Sequence, residues 1–143
     1  MPKMKPIIIA DTSGLYALTD ARDPNHFRAA AFLKSLSPGK SLAEHKLVVS
    51  NHVFDELMTL TKVRLGMPAA LQLGIRLRNS RFVEMVIFTQ AQEQALWRLF
   101  SRYSDKAWSY TDCACLLLAQ EYNTSLAFSF DHHFRQMGLD VKG

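Results

Sequence analysis

The sequence predicts an α/β layer fold built on a mainly parallel sheet. Three observations carry that expectation. The runs Ile7-Ile8-Ile9-Ala10, Leu47-Val48-Val49-Ser50 and Leu126 to Phe130 are short and apolar without polar alternation, the pattern of strands buried on both faces. Segments of helical period separate them, so strand and helix alternate along the chain. The chain has 143 residues, 48% hydrophobic and 21% charged, the size and balance of one soluble globular domain. Such a domain can bury enough surface to need no disulfide or zinc staple.

The elements follow in order. The first strand stops at Asp11-Thr12-Ser13-Gly14, which is strand-to-helix turn chemistry, and helical segments follow. Asp23-Pro24 begins one of them, with Phe27, Ala30, Ala31 and Leu33 or Lys34 on its face and Ser37-Pro38-Gly39 as its stop. After the second strand, residues from about His52 to Leu65 read as a helix closed by Gly66, and Pro68 to Arg78 as another. Phe82 to Phe88 alternates towards a third strand. Thr89 caps a helix running to about Tyr103, Thr111 to Tyr122 is a strongly apolar helix, and Leu126 to Phe130 is the fourth strand. No repeat or long linker divides the chain, so residues 1–143 read as a single domain.

Cys113 and Cys115 point to different faces of one helix, which excludes a disulfide framework or zinc knuckle and suggests a reducing compartment. No apolar run approaches the roughly 18–20 residues of a membrane span, and Ile7 to Ala10 is too short for a signal-peptide core. A cytoplasmic protein without a membrane partner is expected. Lys and Arg number 17 against 13 Asp and Glu, a net charge of +4. Between Glu56 and Glu84 there is no acid, yet Lys62, Arg64, Arg76, Arg78 and Arg81 occur. That stretch either lines a phosphate-tracking groove or is a solvated basic face.

In open parallel sheets the ligand site lies outside the carboxyl ends of the strands, where strand order reverses. Asp11 follows the first strand there and Asp131 the fourth; each is able simply to cap the turn that follows. On a helical projection Glu56 falls between Leu60 and Val63 at the edge of the buried arc, where an ionised carboxylate needs a salt bridge or a ligand. Ser109-Tyr110-Thr111-Asp112 is a capping box, but Asp112 shares its helical face with Cys115, Leu116 and Ala119. Four carboxylates aimed at one sheet edge repel, by about 4 kcal/mol per pair at about 4 Å and an effective dielectric near 20. A hard divalent cation resolves that conflict. All-oxygen ligation without a candidate Cys or His cluster selects Mg²⁺ or Mn²⁺.

Asp11-Thr12-Ser13 at a strand end, Glu56-Leu57 on a helix, Asp105-Lys106-Ala107-Trp108 before Ser109-Tyr110-Thr111-Asp112-Cys113, and Asp131 with Phe134 after it form an ordered set spanning Ile7 to about Gly138. The set resembles the PIN domain, specifically the VapC-type toxin ribonucleases of toxin–antitoxin pairs. The resemblance implies a three-layer α/β/α sandwich with a mainly parallel central sheet of four to five strands. It implies catalytic and metal-ligating acids Asp11, Glu56, Asp112 and Asp131, supported by Thr12, Ser13, Ser109 and Thr111. The implied activity is hydrolysis of single-stranded RNA with one or two Mg²⁺ or Mn²⁺ ions, and the implied partners are a second copy of the chain and a cognate antitoxin. Arg64, Arg76, Arg78, Arg81, Trp108 and Tyr110 are the candidate RNA contacts. His132 and His133 read as surface residues or at most substrate contacts, because adjacent histidines on a turn seldom point together. Two rivals remain: a catalytically inactive RNA-binding scaffold, which predicts substitutions among the acids, and a phosphotransfer domain, which lacks a second Asp two residues after Asp11.

Overall fold

The computed structural model describes residues 6–36 and 45–142. Its five strands form one sheet in the order β3-β2-β1-β4-β5, and every neighbouring pair is parallel. The chain enters at the centre with β1 (Ile7–Ala10). It moves outwards through β2 (Lys46–Ser50) and β3 (Val83–Val86), then returns to the other side of β1 with β4 (Leu126–Phe128) and β5 (Asp140–Lys142). Ile9 is registered against Val48 on one side and Ala127 on the other. Strand order therefore reverses at β1 and β4, and chain leaving their carboxyl ends parts there to leave a crevice.

The helices are α1 (Thr12–Thr19), α2 (His26–Ser35), α3 (Asn51–Leu65), α4 (Met67–Asn79), α5 (Gln90–Arg102), α6 (Tyr110–Glu121) and α7 (His133–Gln136). Their starts follow capping chemistry. Asp11, Ser50, Thr89 and Ser109 cap α1, α3, α5 and α6, the last two through complete capping boxes. Gly66, at φ 96°, ends α3 and starts α4 in one residue, a conformation that favours glycine. In α6, Asp112 to Ala119 are all buried, because this helix lies against β1, β2, α3, α5 and α7 at once. Among the described residues no helix is long and apolar enough to cross a membrane.

The layered, parallel α/β fold agrees with the sequence expectation, with four adjustments. Helix α1 begins directly after Asp11. Pro24 lies in the turn before α2 rather than inside it, where Asp23 Oδ1 accepts the Asn25 amide at 2.8 Å. Ser37-Pro38-Gly39, the expected stop of α2, lies outside the described residues. Strand β4 ends at Phe128 instead of Phe130, because the Phe130 amide leaves the ladder and donates to Ser13 Oγ at 2.9 Å. Helix α7 and strand β5 were not anticipated: four residues carry no helical period, and Asp140-Val141-Lys142 is too short and polar to read as a strand.

One glycine sets how closely α1 approaches β4. A Cβ at Gly14 would stand 2.8 Å from the Phe128 carbonyl oxygen and 2.9 Å from its ring. Alanine in a helix ordinarily stabilises relative to glycine by about 1 kcal/mol. Here the sign should reverse: Gly14→Ala is expected to cost about 1–3 kcal/mol in chemical denaturation, and an unchanged or raised midpoint would contradict this packing.

Candidate active site

Asp11 leaves the end of β1 and is 4% exposed. Its Oδ2 accepts the Ser13 hydroxyl at 2.8 Å and the Ser129 hydroxyl at 2.9 Å. Ser129 Oγ in turn accepts the Asp131 amide at 3.0 Å, so the ends of β1 and β4 are stitched through one carboxylate. Among the described residues no basic side chain pairs with Asp11. Burial pushes its pKa from the ordinary 3.8 up to about 6; the serine hydrogen bonds oppose the rise and the nearby charge of Asp112 adds to it.

Asp112 is 6% exposed, at the third position of α6. Both readings of this residue hold in the geometry. Its Oδ2 accepts the Ser109 amide at 3.0 Å, while Ser109 Oγ accepts the Asp112 amide at 3.0 Å. The same Oδ2 lies 3.1 Å from His133 Nδ1, which is also 3.2 Å from Asp131 Oδ1. His133 thus bridges two of the acids. Asp131 Oδ1 also accepts the His133 amide at 2.9 Å, which fixes the turn into α7.

Glu56 requires a correction: it is exposed, so it needs no buried partner. The inner face of α3 is Val53, Leu57 and Thr61, and Val63 is 78% exposed. A helical projection sees only the apolar residues of one helix, whereas the layers that pack on α3 come from α1, α4 and α6. Glu56 still borders the acid edge. With His52, Asp55 and Thr111 it lines an open cleft of ≈ 500 Å³. The buried Cys115 thiol is pushed well above its ordinary pKa by burial, reinforced by the charges of Asp11, Asp112 and Glu56, which surround it. Burial likewise pushes Cys113 up to about 11, so neither thiol is a ready nucleophile.

Among the supporting residues, Ser13 and Ser109 hold Asp11 and Asp112 as described, and Thr111 reaches the Glu56 cleft. Thr12 is buried, with an Oγ1 that finds no hydrogen-bond partner. Trp108 is corrected from an RNA contact to a packing residue. It is 7% exposed, its ring packs at a tilt against Tyr103 with centroids 4.7 Å apart, and its Nε1 donates to Gln136 Oε1. Tyr110 is half-buried edge-on to His52 and Phe100, and His52 pairs with Glu93 at 2.5 Å. The four arginines are dispersed. Arg64 lies over the Tyr16 ring and Arg78 over Phe54. Arg76 lines a cavity with Leu47, Phe82 and Val83, and the Arg81 carbonyl accepts Lys46 Nζ, which places both arginines at the amino edge of the sheet, opposite the acids. The acid-free stretch of sequence is therefore not one groove.

His132 is exposed, as the sequence suggested, but His133 is half-buried and the expectation that the two rings point apart does not hold. Their rings are 4.5 Å apart and both face Asp131, which removes the expectation of a site without a histidine cluster. Asp131, His132 and His133 are the one group among the described residues whose ligand atoms lie within 4.8 Å of one another. Asp11, Glu56, Asp112 and Asp131 do not form such a close set; Asp11, Asp131 and Asp112 are linked in pairs through Ser129 and His133, and Glu56 stands apart on the cleft wall. Arg28 and Arg135 are the residues that sequence reasoning missed: they line a ≈ 110 Å³ cavity beside Asp131 and His132.

Two observations fit a divalent cation here. A buried carboxylate with only neutral partners faces a second buried carboxylate, and an orphaned hydroxyl adjoins them at Thr12. Carboxylate oxygens and imidazole are suitable donors.

A parallel sheet whose central strand delivers a buried aspartate to the crevice, with further acids from α6 and the turn after β4, describes a class of α/β proteins with an acidic edge at the strand-order switch point. The chain belongs to the PIN domain family, whose model matches residues 8–139. Ribonuclease VapC26 of Mycobacterium tuberculosis is 30% identical over 128 residues, 89% of each chain. A VapC ribonuclease of Archaeoglobus fulgidus is 29% identical over 132 residues, 88% of this chain and 78% of that one. The crystal structure of Mycobacterium tuberculosis VapC20, a sarcin–ricin loop cleaving toxin, superposes with a TM-score of 0.80 at 27% identity, covering 93% of this chain and 96% of that one. The structure of VapBC2 from Rickettsia felis bound to promoter DNA shares the fold at a TM-score of 0.68 and 14% identity, covering 95% and 97%.

The Asp11 shift has a pH signature. Below about pH 4 Asp11 is protonated folded and unfolded alike. Between about pH 4 and about 6 the unfolded chain ionises this group while the folded protein keeps it buried and protonated, so stability is lost across that window and levels off above it. Without metal, Asp11→Asn is expected to gain on the wild type by roughly 2 kcal/mol between pH 4 and pH 7. Denaturation in EDTA at both pH values measures it; a constant difference would contradict the shift.

Proposed function

We propose that this chain is a metal-dependent endoribonuclease of the VapC type, a single catalytic domain hydrolysing phosphodiester bonds of single-stranded RNA in the cytoplasm. The observation that carries the reading is the buried Asp11 carboxylate, met by hydroxyls and backbone amide and by no cation among the described residues, near Asp112 at the switch point of a PIN-family sheet.

Asp11, Asp112 and Asp131 are the residues that would hold Mg²⁺ or Mn²⁺, with Glu56 acting directly or through water from the open cleft. Bound there, the ion would lower the pKa of a water and stabilise charge on the departing oxygen, so that no protein nucleophile is required. Ser13 and Ser129 orient Asp11 by donating to its Oδ2, and Ser109 orients Asp112 through its backbone amide. Cation loading cancels carboxylate charge on a chain that already carries +4, which favours a polyanion. Arg28 and Arg135, beside Asp131, are nearer the acids than Arg76 and Arg81 and replace them in this reading as backbone-phosphate contacts. The VapC names of the relatives support assignment as a toxin, with a cognate antitoxin and a second copy of the chain as partners.

Cleavage of an RNA panel with Mg²⁺ or Mn²⁺, with EDTA as control, tests the reading. Asp11→Asn is expected to lose at least about 100-fold, and Ser129→Ala, which leaves the acids in place but frees Asp11, about 10–100-fold. Equal cleavage by wild type and Asp11→Asn would remove the assignment.

A further inference from the structure

The imidazoles of His132 and His133 have no part in the catalytic reading above, yet their placement is specific. Both turn Nδ1 towards the same atom, Asp131 Oδ1, His133 at 3.2 Å and His132 at 3.8 Å. The three ligand atoms lie within 4.8 Å of one another. The group is also anchored. Asp131 is held by Ser129 Oγ at its own amide and by the His133 amide at Oδ1, and His133 Nδ1 lies 3.1 Å from the buried Asp112 Oδ2. A ring nitrogen placed between two carboxylate oxygens has one proton at most to share between them, so one contact is always incompletely satisfied. Neighbouring ligands in an octahedral shell with bonds of about 2.1 Å stand about 3.0 Å apart, close to the His133–Asp131 spacing.

We propose that Asp131, His132 and His133 form a second cation position beside the carboxylate position, taking a first-row transition-metal dication in preference to Mg²⁺. Imidazole nitrogen is a borderline donor that suits Mn²⁺ and the later metals of the row, whereas Mg²⁺ holds to oxygen ligands and its own waters. The two positions are then unequal: one built of oxygens, the other of two nitrogens and one shared carboxylate. What the second ion does for RNA rests on the nuclease reading; that it binds does not.

The test uses tag-free, metal-stripped full-length protein and the metals alone. At saturating Mn²⁺, pulsed electron paramagnetic resonance is expected to show ¹⁴N modulation from directly bound imidazole. Calorimetry is expected to find a Mn²⁺ site weakened at least about 10-fold in His132→Gln/His133→Gln, with a smaller loss of Mg²⁺ affinity. Bound Mn²⁺ without nitrogen modulation would overturn the proposal. So would a double variant, folded by circular dichroism, that binds Mn²⁺ as the wild type does. Should that variant not fold, the wild-type spectrum alone decides. Nitrogen modulation together with RNA cleavage that survives Asp11→Asn would keep the cation position and remove the nuclease reading.

Discussion

The arrangement turns on one buried negative charge. Asp11 sits at the carboxyl end of the central strand, where desolvation disfavours its ionised form and the hydroxyls of Ser13 and Ser129 offset only part of that cost. A core position that served stability alone would be better filled by an apolar side chain of similar size. The carboxylate is instead held in place, by donors that fix its orientation without neutralising it, and Asp112 is brought close enough to raise its pKa further.

Several features of the fold serve that placement. The strand order puts the crevice at β1 and β4. Gly14 lets α1 lie against Phe128, and β4 stops early so that the Phe130 amide and Ser129 can join the Asp11 network. Helix α6 is buried along its length and starts at the crevice, so its capping carboxylate is at once a local cap and part of the acidic edge. Stabilisation of the helix and presentation of the acid are one interaction rather than alternatives.

Much of this was legible in the sequence because local chemistry decides it. β-branched runs marked β1 and β2, capping residues marked α5 and α6, and the acids at Asp11, Asp112 and Asp131 followed from strand ends and a cap. What was not legible depends on layers that no single segment encodes. Glu56 was assigned to a buried edge because a helical projection does not show that Thr61, not Val63, faces the sheet side of α3. Trp108 looked available beside the acids, but its partners are Tyr103, which follows α5, and Gln136 of α7. Arg76 and Arg81 are close in sequence to Arg64 yet occupy the far edge of the sheet. His133 meets Asp112 across 21 residues of chain, a contact made by tertiary packing alone.

The pairwise links among the acids leave open space for an ion rather than a preformed cage, so the position of bound metal is the decisive observable. Anomalous diffraction at the manganese edge from crystals grown or soaked with Mn²⁺ locates it directly. A peak within coordinating distance of Asp11 and Asp112 oxygens is the expected result. Manganese at full occupancy only at other positions, the Asp131–His132–His133 position included, with Asp11 still bound only to Ser13 and Ser129, would contradict the account.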